Sequence, residues 1–155
     1  MSSYDKTGVL STKDLKLPSK EHLEKGVAII ECIQEIPCDP CVASCPVNAI
    51  SMKNINALPV VDFEKCIGCG KCVGSCPGLA IFVIKSKDYK ALITLPYEFL
   101  PVPEVGDIVN ALDRWGNNRC NGTVKRVQKK GKTMVITVEV IEDLAMEIRN
   151  IRVFQ

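Results

Sequence analysis

Short apolar runs alternate with cysteine-bearing loops in the first half of the chain. Val27–Ile30 and Val60-Val61 each precede such a loop, and Ile50-Ser51-Met52 and Ile81–Ile84 each follow one. Apolar runs this short fit β-strands better than helices. Each half of this stretch therefore predicts a strand, a cysteine loop, a short helix and a strand, and neither half is large enough to bury a core alone.

The second half carries β-branched runs between turn signals. Three prolines in Leu95–Pro103 predict an extended linker, because proline disfavours helix. The pattern beyond it predicts strands at Asp107–Leu112, Gly122–Gln128, Thr133–Val140 and Ile148–Phe154. Short strands with polar turns are typical of a small β-barrel or curled sheet, so we expect a C-terminal barrel of SH3-like type.

Four segments follow from these patterns. Proline near the start and glycine past the end predict a short helix over Pro18–Gly26. We therefore predict an N-terminal arm with a short helix, a cysteine domain, a proline-rich linker and a small barrel that serves for docking, at residues 1–25, 26–87, 88–103 and 104–155.

Composition and charge exclude several classes of protein. Of 155 residues, 20 are Lys or Arg and 18 are Asp or Glu, and a net charge of +2 gives no reason to expect nucleic-acid binding. No apolar run approaches the ~20 residues that span a bilayer. Met1–Leu10 lacks the basic and apolar regions of a secretory signal, so we expect a cytoplasmic protein without a membrane span.

Cysteine is the unusual residue, with nine in the chain. In a reducing compartment such a number favours metal ligation over disulfides. One group has the spacing of the bacterial iron–sulfur run: Cys66-x2-Cys69-x2-Cys72-x3-Cys76-Pro77. The other is the same run without its first cysteine: Cys38-x2-Cys41-x3-Cys45-Pro46.

The two runs form an internal repeat. A shift of 31 residues lays Cys38–Ile50 on Cys69–Ile81, and eight of those thirteen positions are identical. The same shift lays Ile29-Ile30 on Val60-Val61. The repeat makes an iron–sulfur interpretation specific, because a chance match would not extend to both runs and their flanks.

The spacing within each run suits an iron–sulfur cluster. An x2 loop turns successive cysteines toward one small object and points backbone N–H groups at the sulfur atoms, which raises the reduction potential. Gly68, Gly70 and Gly74 allow the backbone to approach the second cluster. Pro46 and Pro77 turn the chain away after each run and can open the helix that follows. We predict cofactor-binding positions at Pro46, Gly68, Gly70 and Pro77.

Crossed ligation assigns the cysteines to two sites, because in paired runs the fourth cysteine binds the other cluster. Site 2 then has a complete set of four: Cys45, Cys66, Cys69 and Cys72. Site 1 has three cysteines and needs one more ligand: Cys38, Cys41 and Cys76.

The fourth ligand of site 1 has three interpretations. Cys32 reaches the site through a longer x5 loop, or the site keeps three cysteines and holds a [3Fe-4S] cluster. In the third, Glu35, which the shift places at the missing cysteine, binds through oxygen, although a carboxylate matches iron–sulfur clusters poorly. The rival to all three is a four-cysteine zinc site at Cys38, Cys41, Cys66 and Cys69, which leaves three other cysteines without a role.

Gly26–Lys87 resembles the two-cluster bacterial ferredoxin family through its cysteine runs. Gly26–Cys41 and Cys76–Phe82 are also similar to the small iron–sulfur subunit of FAD-dependent amine and amino-acid dehydrogenase complexes of the proline, opine and hydrogen-cyanide-synthase types. The resemblance implies an α+β fold, with a pseudo-symmetric ferredoxin-like domain and two [4Fe-4S] clusters. The Cys32-x5-Cys38 spacing resembles that group too, which supports Cys32 as a ligand.

The resemblance implies an electron-transfer subunit of a hetero-oligomeric complex whose catalytic flavin lies on an FAD-containing partner chain. We predict no catalytic residue and no enzymatic activity for the chain alone. One alternative is a freestanding soluble ferredoxin. The other is a cluster-based redox sensor, although the sequence shows no DNA-binding element that would support this role. Trp115 is either an interface anchor or a core residue of the C-terminal strands.

Overall fold

The computed structural model describes residues 4–154, which form a mixed α and β fold consisting mostly of sheet. The helices are α1 (Tyr4–Thr7), α2 (Lys20–Lys25), α3 (Pro40–Ser44) and α4 (Lys71–Ser75), with 3-10 turns at Thr12–Asp14 and Glu142–Leu144. The strands are β1 (Val27–Ile30), β2 (Ile50–Ser51), β3 (Val60–Val61), β4 (Ile81–Lys87), β5 (Lys90–Tyr97), β6 (Ile108–Asp113), β7 (Asn118–Lys130), β8 (Thr133–Ile141) and β9 (Ile148–Val153).

The two halves of the cysteine region have the same order of elements, as the repeat predicts. Helices α3 and α4 lie 31 residues apart along the chain. Ile30 pairs with Ile81 between β1 and β4, and Val61 pairs with Ile50 between β2 and β3. The 31-residue shift converts the first pair into the second, so each half pairs its strands with those of the other half.

The cysteine region continues directly into the C-terminal strands. Within residues 4–154, seven strands form one antiparallel sheet in the order β1-β4-β5-β8-β7-β6-β9. This sheet is not closed into a barrel, which corrects the prediction of a small C-terminal β-barrel of SH3-like type. The physical reason is β5, which pairs with β4 on one edge and with β8 on the other.

The linker prediction for residues 88–103 is wrong for residues 90–97, which form β5. Pro96 is tolerated in this strand because the β4 pairing ends at Thr94, so Pro96 is bordered by β8 alone. The short helix predicted near residue 20 and the four strands predicted after residue 107 are confirmed. The division into four segments stays a prediction.

One hydrophobic core connects the two regions. Ile29 and Ile84 of the cysteine region pack in the same cluster as Ile93, Ile136 and Ile148, and each is at most 1% exposed. Burying a side chain of this size contributes roughly 1.5–3 kcal/mol. The C-terminal strands and the cysteine region therefore stabilise each other.

Helix α4 packs against the β7–β8 hairpin at Gly74. A Cβ atom on Gly74 would lie 2.7 Å from Cδ of Lys130 and 3.1 Å from Cγ2 of Val135. The Lys130 ammonium group donates hydrogen bonds to Lys71 O at 2.7 Å and to Ser75 Oγ at 2.6 Å. The missing side chain of Gly74 therefore lets the hairpin pack closely against α4. This corrects the expectation that Gly74 allows the backbone to approach the second cluster.

Candidate metal centre

Site 2 is a small cavity that all four of its predicted cysteines line. Cys66 follows a turn closed by its N–H, which donates to Asp62 O at 3.0 Å. Cys72 lies in α4, and Cys45 comes from the other run, at the end of α3. The structure therefore brings together the predicted set: Cys45, Cys66, Cys69 and Cys72.

Two glycines shape the site 2 loop. Gly68 and Gly70 have φ values of 68° and 80°, which side chains with a Cβ rarely adopt. A Cβ on Gly68 would lie 2.7 Å from the carbonyl oxygen of Gly26, so this glycine lets the loop pack against the start of β1. Both glycines line the site 2 cavity.

The two prolines differ in their placement. Pro77 lines the cavity at site 1, together with Cys76. Pro46 is exposed and lines neither the site 1 nor the site 2 cavity. The structure therefore gives Pro46 a role in turning the chain but no contact with either cavity.

Backbone N–H groups point at cysteine sulfur atoms, as the loop spacing predicts. The N–H of Ala49 donates to Cys45 Sγ at 3.2 Å, and the N–H of Ala80 donates to Cys76 Sγ at 3.4 Å. These two bonds are equivalent under the 31-residue shift. The N–H of Ala28 donates to Cys66 Sγ at 3.3 Å. Such bonds stabilise a thiolate and tune the cluster that it binds.

The electrostatics of the thiols shows the same crossed grouping. The pKa of Cys72 is raised to about 12, mainly by burial and in addition by the neighbouring thiols of Cys66, Cys69 and Cys45. Burial also raises the pKa of Cys41, and Cys76 and Cys38 add to this increase. Each run therefore gives its last cysteine to the neighbourhood of the other run.

Cys45 has the opposite behaviour. Burial favours a higher pKa for the Cys45 thiol. Four backbone N–H groups, those of Ala49, Val47, Ile50 and Asn48, outweigh burial and lower the pKa. The end of α3 is therefore built to hold a sulfur anion.

Site 1 is a larger cavity of about 610 Å³. Cys32, Cys38 and Cys76 line it, and Cys41 interacts with the last two. Glu35 is exposed and does not line the cavity. The structure therefore places Cys32, rather than Glu35, on the wall of the cavity that Cys38 and Cys76 also line.

The donor sets fit iron–sulfur clusters. Within residues 4–154, no three His, Cys, Asp or Glu side chains converge on the position of a single metal ion. The cysteines of a cluster each bind a separate iron atom, so their sulfur atoms surround a larger object than one ion. Thiolate is also the ligand that iron–sulfur clusters prefer.

A buried ion cluster beside site 1 was missed by the sequence analysis. Arg114 donates from Nε to Oε1 of Glu31 at 2.7 Å and from Nη2 to Oε2 at 3.3 Å. Nε of Arg149 donates to Oε2 of the same carboxylate. Burial lowers the pKa of Arg149, and the Glu31 carboxylate opposes that change. Separations of 83 and 118 residues leave no local signal for these pairs.

Trp115 is 65% exposed at the turn between β6 and β7, so its interpretation as a core residue is wrong. Its chain neighbours Arg114 and Gly116 both line the site 1 cavity. The exposed indole therefore lies on the turn that borders site 1.

Comparison with known proteins identifies part of this region. Residues 59–82 match the model of the family described as 4Fe-4S binding domain (Fer4). The match contains the complete second run and indicates 4Fe-4S binding by a ferredoxin-type electron carrier. No curated protein and no solved structure matches the chain. In the part of the chain that the structure describes, no helix has the length and apolar character needed to cross a membrane.

Proposed function

We propose that the chain is an electron-transfer protein that holds two [4Fe-4S] clusters, one at site 1 and one at site 2. The observation that carries the proposal is the crossed grouping of thiols, with Cys45 beside the second run and Cys76 beside the first. Paired bacterial runs use this exchange to hold two clusters. The matching N–H donors of Ala49 and Ala80 support equivalent roles for the two cysteines.

We assign the fourth ligand of site 1 to Cys32. Its position on the cavity wall supports this assignment, and the exposure of Glu35 argues against ligation by the carboxylate. The thiol is also the better donor for iron in a cluster. If Cys32 does not bind, site 1 keeps three cysteines and holds a [3Fe-4S] cluster.

The residues of the chain act by holding the clusters and setting their surroundings. A bound [4Fe-4S] cluster takes up and releases one electron. The thiolates fix each cluster in place, and N–H groups at Cys45, Cys66 and Cys76 stabilise negative charge on sulfur. Cys69 is exposed, so site 2 has an edge open to a redox partner.

We further propose that the electrons come from an FAD-containing dehydrogenase subunit that oxidises a C–N bond of an amine or amino acid. The two electrons of a reduced flavin supply one electron to each site, and the flavin protons pass to solvent. The resemblance of Gly26–Cys41 and Cys76–Phe82 supports this class of partner. The exposed Trp115 supports a protein contact near site 1, since tryptophan is enriched among residues that dominate binding energy.

Anaerobic affinity purification from the native cell tests the proposal, combined with iron and sulfide analysis and mass identification of bound chains. We expect ~8 iron and ~8 sulfide per chain, which is the content of two [4Fe-4S] clusters, and stoichiometric FAD-containing subunits. A chain with this iron content that emerges without partners would instead be a freestanding ferredoxin. A chain with about half this iron would contradict the two-cluster proposal.

A further inference from the structure

The ion cluster beside site 1 carries a surplus positive charge. It consists of one carboxylate, Glu31, and two guanidinium groups, Arg114 and Arg149, whose side chains are 6%, 9% and 4% exposed. The nearby carboxylate of Asp113 is already neutralised, because Arg119 lies 3.4 Å from it. The carboxylate of Glu147 also acts on Arg149, but Glu147 is only half-buried and forms no ion pair with Arg149 in the described part of the chain. The ion-paired cluster therefore keeps one net positive charge beside the cavity that Cys32, Cys38 and Cys76 line.

A purely structural cross-link does not need this surplus. Glu31 and Arg114 alone would join β1 to the β6–β7 turn as a neutral pair. A second buried guanidinium adds a desolvation cost, which hydrogen bonds offset in part and a nearby negative charge offsets further. Thiolates at site 1 supply negative charge, and Glu31 directly precedes Cys32 in the chain. The surplus is therefore explained by the anionic site beside it.

Several contacts hold the side chain of Arg149 in place beside this site. Its Nη1 donates to the carbonyl oxygens of Ala145 at 3.1 Å and Ile148 at 2.6 Å. Its guanidinium also lies over the Phe82 ring, 5.1 Å from the ring centre. These contacts prevent the side chain from turning out to solvent, so its charge acts in a region of low dielectric.

Site 2 has different surroundings. Apart from its cysteines, the described residues that line its cavity are apolar or glycine, and none of them is charged. The two sites therefore share a ligand pattern, but only site 1 has charged side chains in its lining, among them the guanidinium groups of Arg114 and Arg149.

Building on the proposed function, we propose that Arg149 and Arg114 raise the reduction potential of site 1 above that of site 2. Reduction adds one negative charge to a cluster, and a nearby positive charge stabilises the reduced form more than the oxidised form. Site 1 is therefore the first to be reduced. Electron exchange between the sites oxidises site 2 and reduces site 1 by one electron each, and no other reagent is consumed.

An EPR-monitored redox titration of the full-length, anaerobically purified chain tests this inference. Cys41→Ser identifies the site 1 signal by its change. We expect Arg149→Met to move the site 1 potential downward and to leave site 2 unchanged, whereas Arg149→Lys stays near the original value because it keeps the charge. Arg152→Met is the matched control, since Arg152 is exposed on the same strand and should move neither potential.

Glu31→Gln provides a test of opposite sign, because it removes the negative charge and leaves both guanidinium groups. We expect the site 1 potential to rise. A purely structural role predicts that both substitutions disturb site 1 in the same way, and that result or two unchanged potentials would overturn the inference. If Arg149→Met fails to retain iron, Glu31→Gln decides alone: a rise supports the inference and an unchanged potential refutes it. An original chain with fewer than two clusters would instead refute the proposed function.

Discussion

The two cysteine loops are copies of one repeat, yet they form sites of different character. The second loop is rich in glycine, folds tightly against β1 and lines a small cavity without charged residues. The first loop has Pro37 and Pro40 in place of glycine and lysine, and the walls of its cavity of about 610 Å³ include two buried carboxylates and two arginines. A shared ligand pattern therefore does not determine the surroundings of a cluster.

The difference arises from what packs on each loop. Helix α4 lies against the β7–β8 hairpin at Gly74, where the equivalent position in α3 is the exposed Ala43. Site 1 instead meets the β6–β7 turn and β9, which contribute Arg114 and Arg149. The C-terminal strands thus make the two halves of the repeat unequal.

The largest expected effect tests the crossed grouping. Cys45 belongs to the first run, but Cys45→Ser should eliminate or convert the cluster at site 2. Cys76 belongs to the second run, but Cys76→Ser should eliminate or convert the cluster at site 1. The reason is that each of these cysteines lies among the thiols of the other run. We expect a loss of up to ~4 iron atoms per chain in each variant, measured by iron analysis and EPR. Cys120→Ser is the control, and the uncrossed result, with Cys45→Ser altering site 1, would contradict the assignment.

The second prediction concerns the longer spacing of the first loop. Cys32→Ser should lose the site 1 cluster or convert it to a three-iron form, while site 2 persists, because Cys32 lines the site 1 cavity. Glu35→Gln should change neither the iron content nor the EPR spectrum, because its side chain is exposed. The reverse outcome for these two variants would make Glu35 the ligand.

The third prediction compares equivalent helix positions. Gly74→Val should lower the free energy of unfolding by about 1–3 kcal/mol, because the added atoms meet Lys130 and Val135 in a packed interface. Ala43→Val changes the equivalent, exposed position of α3. Apart from the small helix-propensity cost of valine, it should change the free energy of unfolding by less than about 0.5 kcal/mol. Denaturant unfolding of both variants under anaerobic conditions measures the difference, and equal costs would show that the hairpin does not distinguish the helices.

The smallest expected effect is a difference in the rate of iron loss. A chelator should remove iron from site 1 several-fold faster than from site 2, because the site 1 cavity is larger and has charged side chains in its walls, whereas the other residues around the site 2 cysteines are apolar or glycine. Loss of each EPR signal with time measures the two rates. Faster release from site 2 would mean that exposed Cys69, rather than the cavity, controls access.

The sequence predicted the local features of this protein well. The cysteine spacing predicts which thiols group together, and the structure brings the site 2 set into one cavity. The 31-residue shift predicts the positions of α3 and α4 and the exchanged strand pairs. The cysteine spacing depends on residues a few positions apart, and the repeat is found by comparing two segments of the sequence, so neither requires knowledge of the tertiary contacts.

Long-range features were not predictable in this way. Three prolines near residue 100 indicate a linker, but the first of them, Pro96, lies in β5, two residues past the end of the β4 pairing. Strand β5 joins the cysteine region to the C-terminal strands. Gly74 was assigned to a cluster because it lies within the run, although its close contacts are with a hairpin more than 50 residues away.

The amino-acid sequence by itself determined the cysteine sets, the repeat and most of the strands, because these follow from local spacing and side-chain preference. Only the tertiary structure decided that the strands form one open sheet and that Glu31 meets Arg114 and Arg149 beside site 1. Those contacts join residues more than 80 positions apart. They depend on the tertiary arrangement that brings β9 and the β6–β7 turn next to the end of β1, and no local sequence pattern predicts that arrangement.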